Sequence, residues 1–318
     1  MPPEPLARPT EAPSPPRAFW RRVLPFVVTA ALLALVLGRI DFQAFLRCLA
    51  AINAPRYLLL IALFLVALLT VDTFATVVVY RRTIAPVRFR DFWVLRGASY
   101  LPSILNHHVG QAFITYFLSR NYGVPLFRVA GATMLVYLSW IAWIVGAGAL
   151  ALALNGQPLA WAAAILVAGI AYLALITVKP ARLAKTRFLG PLFEAGLSGH
   201  LVALAARLPH FLLVFGGTWA SFLAFDIDIP FRAAVAYVPL LMVAVSLPIT
   251  PQGFGTRDVL AVLFFERFAP GARHEDRLAA LAAATTSWGV TITLIDALLG
   301  LVLLRWAFPR EPAKSADA

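Results

Sequence analysis

The thirteen residues SLPITPQGFGTRD, from Ser246 to Asp258, interrupt a chain that is otherwise rich in long apolar runs. Two prolines and two glycines lie in this stretch, and such residues stop helices and free the backbone for tight turns. The charged pair Arg257 and Asp258 follows soon after the apolar run YVPLLMVAV. Non-helical backbone at membrane depth is tolerated only where it is buried in protein or lines a wet cavity. The stretch therefore predicts a cavity-lining break in an all-α membrane protein.

The composition supports the membrane class. The chain has 318 residues, of which 61% are hydrophobic and 13% charged, whereas a soluble domain carries about 25% charged residues. The net charge of +12 does not indicate nucleic acid, because the basic residues cluster in loops, as in membrane proteins. Cys48 is the single cysteine, which excludes an intramolecular disulfide and a cysteine-based metal site.

The apolar stretches predict a polytopic layout with six full spans and two broken segments. Residues 1–18 are Pro-rich and predict a disordered tail, and 22–38 is interpreted as a retained span because it lacks a cleavage site. Two stretches, 92–119 and 232–268, have polar or Pro/Gly-containing centres and predict re-entrant helical hairpins. The full spans are expected near 22–38, 57–80, 129–153, 158–178, 201–225 and 278–304.

The loop charges predict the orientation. We suppose that each broken segment leaves the membrane on the side from which it entered. The loops 81–91, 119–128 and 179–200 and both termini then lie on one face of the membrane. That face holds most of the arginines and lysines, and the positive-inside rule makes it cytoplasmic. The chain is therefore expected in a bacterial cytoplasmic (inner) membrane, with both termini in the cytoplasm.

The order of spans and breaks predicts two halves of inverted topology. YLPSILNHHVGQ and SLPITPQGFGTR both contain Leu-Pro and reach a glycine eight or seven residues after the proline, and a Ser-Trp pair follows each Leu-Pro about forty residues later. Paired Gly/Pro-interrupted segments at matching positions are a pointer to a transporter's central site; the alternative is chance recurrence in an apolar sequence. The transmembrane domain is expected over 19–306, with halves 19–154 and 155–306 and a cytoplasmic tail over 307–318.

The two breaks supply the candidate ligand-binding residues. A helix amino terminus attracts anions, and Arg257 in such a first turn can hold a phosphate through two parallel hydrogen bonds. The alternative is an internal bridge between Arg257 and Asp258 that only shapes the hairpin. Histidines in the first break would donate hydrogen bonds or titrate near neutral pH, or would simply be hydrated at a loop tip. The predicted ligand-binding residues are Gln252, Gly253, Gly255, Thr256, Arg257 and Asp258 in one break, and Asn106, His107, His108 and Gln111 in the other.

Three charged residues lie inside predicted spans at similar depth: Asp72, Arg207 and Asp296. Lone charges there cost several kcal/mol, about 2.5–3.5 on insertion scales, so pairing inside the bundle is expected. We expect Arg207 to pair with Asp72 or Asp296, with His210 on the same face one turn later. A structural bridge and a role in ligand or proton movement both fit this network.

No pattern predicts an enzyme. The sequence shows no Ser–His–Asp arrangement, no zinc spacing and no paired-carboxylate signature, so neither catalytic residues, nor a metal, nor a cofactor is expected.

LPITPQGFGTRD resembles the Leu-Pro…Gly-x-Gly-x-Arg-Glu signature of the lysylphosphatidylglycerol synthase transmembrane family, also described as flippase-like. The stretch that runs from Asn106 to Leu135 is similar to that family's earlier block. Gly253, Gly255 and Arg257 match the signature, whereas Asp258 replaces its usual Glu. The soluble synthase domain of the bifunctional members is not expected after Ala318, so lysyl transfer is not predicted.

The resemblance implies a flippase or transporter of lipids or lipid-linked headgroups. Its partners would be membrane phospholipid or polyprenyl-linked lipid, and enzymes of envelope-lipid biosynthesis; nucleic acid is not expected. An anionic headgroup would lie between the two hairpins. Other interpretations are a non-transporting scaffold in envelope lipid or glycan synthesis, a carrier of small solutes or ions, and, more distantly, a membrane transferase.

Overall fold

The computed structural model describes residues 38, 41–105, 107–247 and 255–307, apart from the side chains of Leu105 and His107. Within these ranges the regular structure is helical throughout, which confirms the predicted class. The expected tails, the first span at 22–38 and the 248–254 part of the second break lie outside the described residues. The α-helices are α1 (Phe42–Ala51), α2 (Ala54–Thr83), α3 (Phe89–Ala98), α4 (Tyr100–Leu105), α5 (His107–Tyr122), α6 (Leu126–Leu154), α7 (Leu159–Val178), α8 (Ala181–Ala184), α9 (Gly190–Leu223), α10 (Phe231–Ser246), α11 (Thr256–Phe265) and α12 (His274–Ala307).

Among the described residues, five helices are long and apolar enough to cross a bilayer: α2, α6, α7, α9 and α12. Each corresponds to one of the predicted spans. Helix α7 shows the lipid-facing character most clearly, because Ile176 is the one buried residue along its twenty. An apolar side chain gains nothing by leaving lipid for protein, so such helices can stay at the periphery of a bundle.

The segment from Arg88 to Tyr122 folds back on itself. Helices α3 and α4 form one nearly continuous arm, because the Ser99 N–H still donates to the Leu95 carbonyl at 3.0 Å. Helix α5 forms the second arm, and the ends of the two arms meet where the Arg88 N–H donates to the Tyr122 hydroxyl at 3.2 Å. The first broken segment therefore enters and leaves at one end of the bundle.

The segment from Phe231 to Phe268 also folds back. Tyr237, near the start of α10, stacks on Phe264 at the end of α11, with ring centroids 5.3 Å apart. A short 3₁₀ turn, Glu266–Phe268, follows α11. The guanidinium of Arg267 lies 5.5 Å from the centre of the Tyr237 ring. The start and end of the second segment are thus neighbours as well.

Contacts between helix ends place these two hairpins at opposite ends of the bundle. At one end, Arg128 donates to the Thr83 carbonyl at 3.1 Å and to the Glu194 carboxylate at 3.1 and 2.5 Å. Thr83 is five residues before Arg88, so the first hairpin opens here. At the other end, the Asn155 amide donates to the Ala236 carbonyl at 2.9 Å, which places the opening of the second hairpin beside the end of α6.

The helix pairs are packed in a matching pattern in the two halves. Helices α3 and α4 contact α12, as α10 contacts α6; α5 contacts α6, as α11 contacts α12. Helix α2 contacts α9 across the centre. At Gly300 of α12 an added Cβ would lie 2.7 Å from the backbone nitrogen of Leu101, so a small residue here allows α12 and α4 to approach closely.

Two elements differ from the predicted layout. Helix α1 is a helix that the sequence did not predict, capped by the Asp41 carboxylate, which accepts from the Gln43 N–H at 2.8 Å. Helix α9 includes a short helical segment that begins at Gly190, before the predicted start at 201, and the non-helical backbone of Gly196 (φ 60°) separates this segment from the long part of the helix. Its first turn buries Pro191, Leu192 and Phe193, and this apolar packing stabilises helix in a stretch whose glycines and charges favour a loop.

Candidate functional site

The centre of the bundle holds a cluster of charged residues around Asp72. The Asp72 side chain is buried between α3 and α9; its Oδ2 accepts from Nε of Arg96 at 2.6 Å, and its Oδ1 accepts from Arg207. The second terminal nitrogen of Arg207 donates to the Thr76 hydroxyl at 3.3 Å. The expected pairing of Arg207 with Asp72 is therefore present, with Arg96 as a second partner.

His210 and Asp296 complete what we call the central cluster: Asp72, Arg96, Arg207, His210 and Asp296. The His210 Nε2 lies 3.8 Å from Asp72 Oδ1, and the ring of Trp140 packs edge-on against the imidazole with centroids 4.9 Å apart. Asp296 of α12 lines the same partly open cavity of about 140 Å³ as Asp72, Arg96 and His210. Two of the three residues predicted at a common depth, Asp72 and Asp296, thus line one cavity, and the third, Arg207, is bonded to Asp72.

Two charged members of the central cluster are buried, and the other three members are half-buried. Arg207 is 3% exposed and Asp72 is 7% exposed, so both lie where water does not screen their charges. Two guanidinium groups share one carboxylate, and a buried charge is tolerated only with good geometry and further hydrogen bonds. A structural bridge and a role in ligand or proton movement are both compatible with this arrangement.

Arg96 is the member of this cluster that the sequence reasoning did not single out. It lies in FWVLRGASYLP, a stretch already set apart as too polar for a plain span. A lone arginine between apolar residues in such a stretch was a usable signal, by the same cost argument applied to Asp72. Its guanidinium also lies 5.6 Å from the centre of the Tyr100 ring.

The second candidate site is the start of α11. Gly255 precedes the helix with φ of 79°, a region that glycine adopts without strain. Both Gly255 and Asp258 are buried, so this helix begins in the interior of the protein. Its amino terminus therefore presents backbone N–H groups and partial positive charge away from bulk water.

Asp258 ties the start of α11 to α12. Its Oδ2 accepts from the Gly255 N–H at 2.8 Å, and its Oδ1 accepts from the Thr285 hydroxyl. Both oxygens thus have partners other than Arg257, although Arg257 interacts electrostatically with Asp258 and with Tyr57. Asp258 acts as a cap and an inter-helix link, a role that the sequence alone did not reveal.

The remaining predicted ligand residues are placed as follows. Thr256 and Arg257 form the first turn of α11 and are half-buried. On α5, His108 is exposed and Gln111 is half-buried. Asn106, Gln252, Gly253 and the side chain of His107 lie outside the described residues. A metal-binding group of three or more His, Cys, Asp or Glu side chains does not occur in the described ranges.

A third feature lies at the end of the bundle where the second hairpin opens. An open cavity of about 670 Å³ is lined by Tyr237, Phe264, Glu266, Arg267 and Arg277, among others. The Glu266 carboxylate accepts from His274 Nδ1 at 2.6 Å and from Arg277 at 3.3 Å. These contacts, the one with His274 above all, lower the pKa of Glu266 below its usual value.

Comparison with known proteins gives one match. No curated protein and no solved structure matches the chain. The family described as "Lysylphosphatidylglycerol synthase TM region" matches residues 22–300, which include both hairpins, the central cluster and the start of α11. On this match the chain is a multi-pass membrane protein that belongs to the lysylphosphatidylglycerol synthase TM region family.

Proposed function

We propose that the protein moves an amphipathic lipid with an anionic headgroup between the two leaflets of the bacterial cytoplasmic membrane. The observation that carries the proposal is the start of α11 inside the bundle, with Arg257 in its first turn. A buried helix amino terminus and an arginine both favour an anionic group. The family of the chain, which belongs to membrane lipid metabolism or transport, supports a lipid as the ligand.

In this proposal the two hairpins are re-entrant and related by inverted topology. The contacts that support this are those at the hairpin ends, Arg88 with Tyr122 and Tyr237 with Phe264, which lie at opposite ends of the bundle. The matching helix contacts of the two halves support it further. Trp140 packs on His210 and Trp288 on Phe64, with centroids 4.9 and 5.2 Å apart. Each of these pairs joins a Ser-Trp helix to the long helix of the other half.

The orientation follows from the charges at the two ends. The end near Arg128 also carries the exposed arginines Arg81, Arg82, Arg88 and Arg90, and the positive-inside rule assigns it to the cytoplasm. The first hairpin then opens to the cytoplasm and the second opens outside, and both termini are cytoplasmic. A headgroup between the hairpins could be reached from either side in turn while its acyl or prenyl tails stay in the bilayer.

The proposal is transport without chemical change of the lipid. Purified protein in liposomes, with a labelled phospholipid in one set and a labelled polyprenyl phosphate in another, tests it directly. We expect faster leaflet exchange than in protein-free vesicles for one of the two lipids, with an unaltered mass of the recovered lipid. Exchange no faster than in protein-free vesicles for both lipids would contradict transport and favour the scaffold interpretation. A changed lipid mass would indicate an enzyme.

Arginine variants connect the activity to the site. Arg257→Ala is expected to slow exchange about tenfold or more, since a charge-assisted hydrogen bond contributes about 1.5–3 kcal/mol. Arg232, exposed at the start of α10, provides the matched control, and Arg232→Ala should exchange lipid at the wild-type rate. Equal exchange rates in the two variants would show that Arg257 does not bind the lipid headgroup.

A further inference from the structure

Asp296 is a half-buried acidic residue that forms none of the ion pairs of the central cluster. Its Oδ1 is buried and has no hydrogen-bond partner. Among the described residues no Lys, Arg or His side chain forms an ion pair with it. The arginines that could neutralise it are both bonded to Asp72. Asp296 is therefore a second acidic group in a chamber whose cations already have another acidic partner.

The groups that face Asp296 come from four helices. Asp72 of α2, Arg96 of α3, Tyr100 of α4 and His210 of α9 line the cavity with it. The rest of the lining is apolar: Leu65, Leu68 and Ile292. Helices α1 and α11 also pack on α12. Asp258 of α11 contacts Thr285, which is eleven residues before Asp296 and thus about 16 Å away along the helix axis.

The two protonation states of Asp296 need different surroundings. A carboxylate without a cation partner is costly in a membrane interior, whereas a carboxylic acid needs only an acceptor for its O–H. The cavity of about 140 Å³ has room for a few water molecules, each of which occupies about 30 Å³ in the liquid. Buried atoms of Arg207 and His210 that have no protein partner (Nε and Nδ1) are further groups that such water could satisfy.

We propose that Asp296 is a proton-binding site and that its protonation controls the partner of Arg96. The arrangement in the structure, with Arg96 on Asp72, corresponds to protonated Asp296. When the carboxyl gives its proton to a water molecule of the cavity, the carboxylate left behind attracts the Arg96 guanidinium away from Asp72. Asp72 keeps its bond to Arg207, so each carboxylate then has one arginine and the charges balance.

This exchange would act on the first hairpin. Arg96 is in the last turn of α3, three residues before Ser99, so a shift of its guanidinium changes how this arm is held against α12. Helix α12 also contacts α4 closely at Gly300 and Leu101. Proton binding at Asp296 would thus be coupled to the position of the arm formed by α3 and α4. That this arm lines a lipid path rests on the proposed function.

Infrared difference spectroscopy of the reconstituted protein tests the site without a transport assay. In the wild type, the carbonyl stretch of protonated Asp296 should appear when the pH is lowered and disappear when the pH is raised. Asp296→Asn should lack this band, Asp296→Glu should shift it, and Asp226→Asn, a change at an exposed position, should retain it. A band that is identical in the wild type and in Asp296→Asn would overturn the proposal.

Lipid exchange measured against pH separates the two proposals. In the wild type we expect the rate to change about tenfold per pH unit on one side of a midpoint and to level off on the other. Asp296→Asn should have a flat profile. Wild-type exchange with a flat profile would overturn the coupling, while absence of exchange at every pH together with the Asp296 band would overturn the lipid function and leave the proton site supported.

Discussion

Asp72 on α2 and Arg207 on α9 are bonded to each other across 135 residues of chain, and this bond joins the two halves of the protein at the centre of the bundle. The same carboxylate also holds Arg96 of the first hairpin at 2.6 Å. One acidic group thus connects both long central helices and an arm of the candidate lipid path. A change at Asp72 is therefore expected to affect fold and function together.

Two arginines share the single Asp72 carboxylate, and this predicts which of two variants is less stable. Asp72→Asn leaves two buried guanidinium groups without a carboxylate partner, and the loss of one partner of a buried pair costs about 3–5 kcal/mol. Arg207→Met leaves one arginine, Arg96, on one carboxylate, so its cost should be smaller. Unfolding of the detergent-solubilised variants checks the order, and a less stable Arg207→Met would contradict the arrangement.

The link between α11 and α12 predicts the effect of a single hydroxyl group. Thr285→Val keeps the shape of the side chain but leaves Asp258 Oδ1 without its Thr285 donor, and an unsatisfied buried polar group costs about 1–3 kcal/mol. Thr293 on the same helix donates only to the Gly289 carbonyl, at 2.8 Å, so Thr293→Val is the matched control. The midpoint temperature of thermal unfolding should be clearly lower for Thr285→Val than for the control. Equal midpoints would show that the hydrogen bond from Thr285 to Asp258 does not stabilise the fold.

The pairing around Asp72 shows how far the sequence could lead. A charged residue in an apolar span must find a partner, so depth in the spans limited the partner of Arg207 to Asp72 or Asp296, and the structure shows that it is Asp72. Arg96 was not matched, because its stretch was interpreted as a re-entrant break, and the cost argument for charged residues was applied only to the full spans. The chamber that joins these residues to Asp296 depends on helix packing, which hydropathy does not specify.

Local chemistry explains the other differences. A bridge from Asp258 to Arg257 was one of two interpretations of this pair, and the Asp258 oxygens also accept from Gly255 and Thr285. A cap and a hydroxyl from the next helix are visible only after the helices are packed. The two hairpins, by contrast, could be predicted as interruptions, because prolines, glycines and polar residues do not fit a plain apolar span.

The lowered pKa of Glu266, at the open end of the second hairpin, predicts that its contribution to the free energy of unfolding depends on pH. The hydrogen bond from His274 is the largest cause that lowers the pKa of Glu266 below its usual value of 4.5. A lowered folded-state pKa contributes stability that is present above 4.5 and is lost as the pH falls through the folded-state value. The group is part-exposed, so the contribution should stay below about 1 kcal/mol.

Unfolding midpoints measured from neutral pH down to acid check this for Glu266→Gln. The variant should be slightly less stable than the wild type near neutral pH, and the difference should vanish at the acid end. Glu275→Gln, at an exposed position on the same surface, is the control. A difference that grows as the pH falls would have the wrong sign for this contact.

The proposed inverted topology, in which the two hairpins open on opposite sides of the membrane, predicts that two engineered cysteines are labelled from opposite sides. Arg90 and Arg267 are exposed at the ends of the first and the second hairpin. In a Cys48→Ser background, which removes the single natural cysteine, Arg267→Cys should react with a membrane-impermeant maleimide in intact cells. Arg90→Cys should react only in inverted membrane vesicles, because its hairpin opens on the face that carries most of the basic residues.

Two further positions calibrate the labelling. Arg187→Cys, in the loop before α9, should behave like Arg90→Cys, and Asp228→Cys, in the loop after α9, should behave like Arg267→Cys, since both sites are exposed. If Arg90→Cys and Arg267→Cys react from the same side while these controls react from opposite sides, then the hairpins do not have inverted topology. The lipid path between them would then lack the alternating access that transport from leaflet to leaflet requires.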